Sequence, residues 1–351
     1  MMKKCTLFVL IIALCCNFLA CGKIDDTSRE SDGERVQSEE STTEGLVTEK
    51  IETERAAVEE PTTEEPATQA PAAEESVGLA YEVNGDGVTC TITGLGTCTD
   101  TYVHVPFKID GYKVTRIGQN AFSGCMELTG IKLSDDVFEI GESAIDGCNY
   151  LEEVIFSANL KSIGKDAFSR CFSLRKITLP SSVTDIGDSA FSNCWSLTEA
   201  TLPTGINRIG DRLFADCQVL KAITIPENVL SIGESAFAGC FELTEVKLPN
   251  GLKKIGINVF SGCRKMAELE IPDGVTEMGA YVFYGNMSFT KITIPGTVTA
   301  IGEGVFQHCD QLTEIHFKGT VEQWNAVSKG AVWDEYTGDY TVYCTDGSIK
   351  K

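Results

Sequence analysis

Eight cysteines, Cys125, Cys148, Cys171, Cys194, Cys217, Cys240, Cys263 and Cys309, invite a chemical reading first, because they fall at multiples of 23 residues. Asn286 takes the one vacant place in that series. Nucleophilic thiol chemistry needs a base beside the sulfur, and the chain has three histidines, His104, His308 and His316, outside the series. Zinc would call for paired CxxC spacing or a histidine cluster, and neither accompanies the column. Disulfides want Cβ atoms about 3.5–4.5 Å apart, whereas side chains on stacked strands follow the strand spacing of about 4.8 Å and point the same way. The column therefore reads as buried free thiols. Asn286 shares with cysteine a polar hydrogen able to reach a backbone carbonyl, so a structural hydrogen-bonded ladder is expected, with no catalytic, metal or cofactor role.

What must position these thiols is the repeat that carries them. Ile-Gly opens a unit at Ile117, Ile140, Ile163, Ile186, Ile209, Ile232, Ile255 and Ile301, with Met278-Gly279 once in its place. Five residues on stand Phe122, Phe168, Phe191, Phe214, Phe237, Phe260, Phe283 and Phe306, and Ile145 once. One such unit cannot bury its own apolar side and must stack on a neighbour, which makes the body a solenoid. Within a unit, Leu243, Val246 and Leu248 mark a strand with Lys247 pointing outward. Pro249-Asn250-Gly251 turns the chain, and Leu252 and Ile255 form a second short extended piece. Glu234 to Ala238 reads as one helical turn, stopped at Gly239 by a left-handed residue. The expected fold class is an α+β repeat solenoid of nine 23-residue coils with one parallel strand ladder, capped at both ends.

Residues 79–116 and 318–351 break the period and are expected to be the caps. Tyr81 to Ile92 around Asn84-Gly85-Asp86-Gly87 reads as a hairpin, and the acidic ligands a calcium loop needs are missing. Cys90 and Cys98 lie close enough to pair, though nothing requires it. Near the end, Val321, Trp324 and Val327 share a helical face and, with Trp333, make a lid over the last coil. Leu202-Pro203-Thr204-Gly205 and the sequon Asn286-Met287-Ser288 are discounted as chance matches.

Residues 1–20 read as a signal peptide, with Lys3 and Lys4 before an apolar run. Phe18-Leu19-Ala20-Cys21-Gly22 resembles a bacterial lipobox, which makes Cys21 the expected lipidation site and membrane anchor. Residues 21–78 follow as a tether without Phe, Trp or Tyr. From residue 22 on it holds 17 acids against five bases, a composition that stays disordered. Residues 79–351 hold 34 acids against 22 bases, so nothing offers phosphates a basic stripe and nucleic acid is not an expected partner.

The motif IGxxAFxGCxxLTxIxLPxxVTx over residues 117–317 closely resembles the BspA-type leucine-rich repeat, and GTVEQWNAVSKG…YTVYCTDGSI resembles the closing segment found with it. Ile, Phe and Cys hold places that Leu and Asn hold in the generic leucine-rich signature. The resemblance implies a right-handed leucine-rich-repeat-like coil and a bacterial surface protein of the adhesin kind, with no shared catalytic residues to carry over.

The expected function is cell-surface recognition or adhesion toward a host or microbial protein, from the outer side of the membrane, and not enzymatic. The expected face is the outward strand column Lys132, Ile155, Thr178, Thr201, Thr224, Lys247, Glu270, Thr293 and His316, with Lys176 beside it. The plainer account is that threonine is a good strand former and charges keep the surface soluble. A passive surface spacer without a ligand is the alternative function.

Overall fold

The computed structural model describes residues 74–351, and the expectations for residues 1–20, for Cys21 and for the tether up to residue 73 lie outside them. Each Ile-Gly begins one side of a coil. Ile117 pairs with Ile140, Ile140 with Ile163 and Ile163 with Ile186, all in parallel register. The ladder resumes at Ile209 and runs to Ile301. Between Ile186 and Ile209 the Asp188 carboxylate takes over, accepting the Asp211 N–H at 3.0 Å and Arg208 at 3.2 Å. The glycine of the pair is required by close approach: a Cβ on Gly164 would stand 2.5 Å from the Glu142 nitrogen.

LTxIxL forms the second side, also parallel, as expected. The period-breaking ends continue both sides instead of stopping them. Ile92 pairs with Ile117 at one end and Lys329 with Ile301 at the other, so the stack runs to about eleven turns, not nine. The expected hairpin is present as Ala80–Val83 against Thr89–Gly94, with the Asp86 carboxylate accepting the Val88 and Thr89 N–H groups across its tip. Residues assigned to the tether by composition already join the body: Ser76 is buried and donates its N–H to the His104 carbonyl.

The third side corrects the α+β expectation. It holds no helix; the one helix of the described residues is Val321–Ala326, capped by Thr320 and Gln323. Gly239 is left-handed as expected, at φ +73°, but so is Ser235, at φ +55°, which a right-handed helical turn cannot contain. Every coil repeats this pair of left-handed residues four positions apart. Alternate N–H groups then point along the stack: Ser235 donates to the Ile257 carbonyl, Phe237 to Val259 and Gly239 to Ser261. The third side is a ladder of turns bonded coil to coil, and the molecule is a β-solenoid.

The interior is the phenylalanine column. From Phe168 through Phe191, Phe214, Phe237, Phe260 and Phe283 to Phe306, rings stack with centroids 5.3–6.0 Å apart and planes within 13°. At the last coil Trp333 meets Phe306 edge-on at 6.0 Å, and Trp324 packs on Phe317 and Trp333. Trp324 and Val327 are buried, and Val321 and Trp333 are half-buried.

Candidate binding face

The described cysteines are free thiols, Cys90 and Cys98 included. In the column each sulfur from Cys148 onward donates to a carbonyl of the preceding coil, Cys148 to Phe122 at 3.0 Å and Cys309 to Phe283 at 3.1 Å. Burial pushes the Cys148, Cys194 and Cys309 thiols up to about 12. A neutral, hydrogen-bonded sulfur in a dry interior is neither nucleophile nor metal ligand. Cys125 differs, being half-buried at the open end of the column. Asn286 also departs from expectation. It is fully buried, yet neither its amide nitrogen nor its amide oxygen has a partner, so it does not continue the ladder. Its burial leaves no room for a glycan on the sequon. Among the described residues no metal-sized cluster of His, Cys, Asp or Glu exists, and no helix is long and apolar enough to cross a membrane.

The outward strand column is where the sequence places it. Lys132 lies beside Ile155, Thr178 beside Thr201, Thr224 beside Lys247, and Glu270, Thr293 and His316 run in register. Lys132 through Glu270 are exposed; Thr293 and His316 are half-buried. Pairing adds two residues that the motif could not reveal, since the period is lost there: His104 beside Lys132 and Tyr343 beside His316. Tyr343 stacks on the His316 ring at 5.0 Å, and at the other end Tyr102 lies 4.9 Å from His104. A Cβ on Gly130 would strike the Tyr102 ring, whose hydroxyl reaches Glu153 at 2.9 Å.

Charges on the face are partly neutralised. Lys176 meets Glu199 at 2.8 Å, which holds that carboxyl below its usual range, and Lys318 meets Glu270 at 2.7 Å. His316 Nε2 stands 2.7 Å from Glu314. Lys132 and Lys247 form no ion pair among the described residues.

The expected single ladder on this side is divided. Strands Glu153–Ile155 and Lys176–Thr178 do not pair, nor do Glu199–Thr201 and Ala222–Thr224, nor Glu245–Lys247 and Glu268–Glu270. At a paired step two bonds flank the strands, as when Thr198 donates to Arg175 and Leu179 to Thr201. At the three breaks the corresponding N–H groups of Arg175, Phe156, Lys221, Leu202, Ala267 and Leu248 have no acceptor among the described residues. Clefts open at two of the breaks, about 730 Å³ over Ala200 and Ile223 and about 510 Å³ over Val246 and Leu269. Ala200 and Val246, inward positions, are only half-buried there.

The model of the BspA type leucine-rich repeat region matches residues 115–243 and 231–328, in 6 copies. Among solved structures, a leucine-rich repeat protein of T. pallidum is similar at 33% identity, with 54% of this chain and 88% of that one covered and a TM-score of 0.51. A leucine-rich repeat protein of Bacteroides ovatus is similar at 26% identity over 78% of each chain, with a TM-score of 0.55. None of the curated proteins compared with the chain matches it. With the repeat model spanning more than half of its length, this chain belongs to the BspA-type leucine-rich repeat family.

Proposed function

We propose that the protein is a cell-surface recognition protein, in which the strand face of the solenoid binds a protein ligand on host or other microbial cells. The observation that carries this reading is the contrast between the two sides of one strand column. Inward positions are uniformly apolar, while outward ones pass from Lys132 and Ile155 through three threonines to Lys247, Glu270, Thr293 and His316. A surface kept only soluble has no need of such variation, whereas a surface fitted to one partner does. Cys21 would hold the chain to the membrane by lipid, on the outer side, with the acidic stretch to residue 78 as its tether. Hairpins at the two ends would shield the first and last coils.

The test uses the full chain as bait for surface proteins, followed by a variant in which Ile155, Lys176 and Lys247 are all changed to Glu. All three are exposed, so the fold is expected to persist, each change costing about 0.5 kcal/mol or less. Binding of the recovered partner should fall while circular dichroism is unchanged. Full binding by the variant would move the site off this face, and a bait that recovers nothing would leave a passive spacer. Changing Cys21 to Ala should shift the protein out of the membrane fraction.

A further inference from the structure

The breaks in the strand face are regular. They fall between residues 155 and 176, 201 and 222, and 247 and 268, one at every second coil, although the sequence repeats at every coil. With strands about 4.8 Å apart, and somewhat more where they part, successive breaks lie roughly 10 Å from one another along the stack. Each presents two N–H groups without acceptors and the two carbonyls they would have met, beside apolar ground at Ala200 or Val246 for the two that open into clefts. A ligand suited to the open N–H groups offers carbonyl oxygens and apolar surface together, at a repeat near 10 Å.

A polyproline II helix meets each condition. Three residues per turn at 3.1 Å rise give a repeat of roughly 9.3 Å, close to the break spacing. It makes no internal hydrogen bonds, so its carbonyls are free. Its pyrrolidine rings are apolar and its backbone is already ordered, so little entropy is lost on binding. The outward residues between the first and last breaks are Thr178, Thr201, Thr224 and Lys247, of which three are small and uncharged and allow a backbone to approach. Bulkier His104, Lys132, His316 and Tyr343 stand outside that span. We propose that the strand face recognises a proline-rich segment in the polyproline II conformation, laid along the stack across the strands with one turn at each break. This rests on the reading of that face as the binding site.

The test measures fluorescence anisotropy of labelled nonaproline titrated with the full chain, beside triproline and a nine-residue Gly/Ser peptide. Nonaproline spans the three breaks and should bind at least tenfold more tightly than triproline, which reaches one; the Gly/Ser peptide should not bind. Thr201→Trp with Thr224→Trp fills the larger cleft and should weaken nonaproline at least tenfold, while Ile257→Trp, exposed on the third side away from the strand face, should leave it unchanged. Hydrogen exchange on the unaltered chain is independent of how those variants fold, and should show peptides containing Leu202 and Lys221 slowing when nonaproline is added. Equal binding of nonaproline and the Gly/Ser peptide, or no slowing at Leu202 and Lys221, overturns the inference. A bait partner that is lost on changing Ile155, Lys176 and Lys247 to Glu, while nonaproline fails to bind, overturns the proline class and leaves the face in place.

Discussion

Cys240 Sγ stands 3.2 Å from the carbonyl oxygen of Phe214, in the coil before it, and donates to it. The bond ties the sulfur to the turn that carries the phenylalanine column, so the two columns hold one another in register. Thiols bonded this way should resist alkylation in the native protein. Mass spectrometry with and without denaturant should find Cys148 to Cys309 unlabelled until unfolding, and Cys125 and Cys344, both half-buried, labelled early. Prompt native labelling of Cys217 or Cys240 would contradict a closed ladder.

The same thiols predict how stability responds to alkali. Burial holds Cys148, Cys194 and Cys309 protonated up to about 12, while in the unfolded chain they ionise near 9. Their contribution is whole below about pH 9 and is lost as pH rises from there toward 12, because the unfolded state then releases protons that the native state keeps. Urea midpoints in reductant should fall steeply above pH 9, and less steeply once Cys217 and Cys240 are replaced by Ala. An unchanged slope in that variant would remove the thiols as the cause.

Phe237 lies between Phe214 and Phe260, each 5.7 Å away, with no exposed surface. Phe237→Ala should cost about 3–5 kcal/mol in chemical denaturation, since neighbours fixed by their own coils cannot close the cavity. A loss below about 1 kcal/mol would show that the column is not the core.

Asn286 is the place where the protein can be improved. Both amide atoms are buried without a partner, at the one site where the thiol ladder is interrupted. Asn286→Cys should raise stability by about 1–3 kcal/mol by removing unpaired polar atoms and restoring the bond to the preceding coil. A lower denaturation midpoint would mean that the site is shaped for the amide.

The columns are legible in the sequence because their chemistry is narrow. Phe237 and Cys240 recur with the same side chain, and only a stacked interior demands that. The left-handed position of Ser235 is not legible in the same way, because its equivalents include Asn120, Asp166, Arg212 and Tyr281. No residue type marks it; the bonds from coil to coil impose it, and the sequence by itself suggests a helical turn. Of the face, Lys132 to His316 follow from alternation, but His104 and Tyr343 need the pairing itself, although Tyr102-Val103-His104 has the right polar–apolar–polar order. The breaks could not be read at all. They recur at two coils, and the sequence has no signal of that period.

Equal coils with no insertions also set how the molecule yields to traction. Each coil is bonded almost wholly to its two neighbours, so a steady pull on one end detaches the outermost coil before the next one feels strain. Every coil released pays out 23 residues, roughly 75–80 Å of chain. Under a steady load the solenoid would lengthen by equal steps, each relaxing the tension before the following coil gives way.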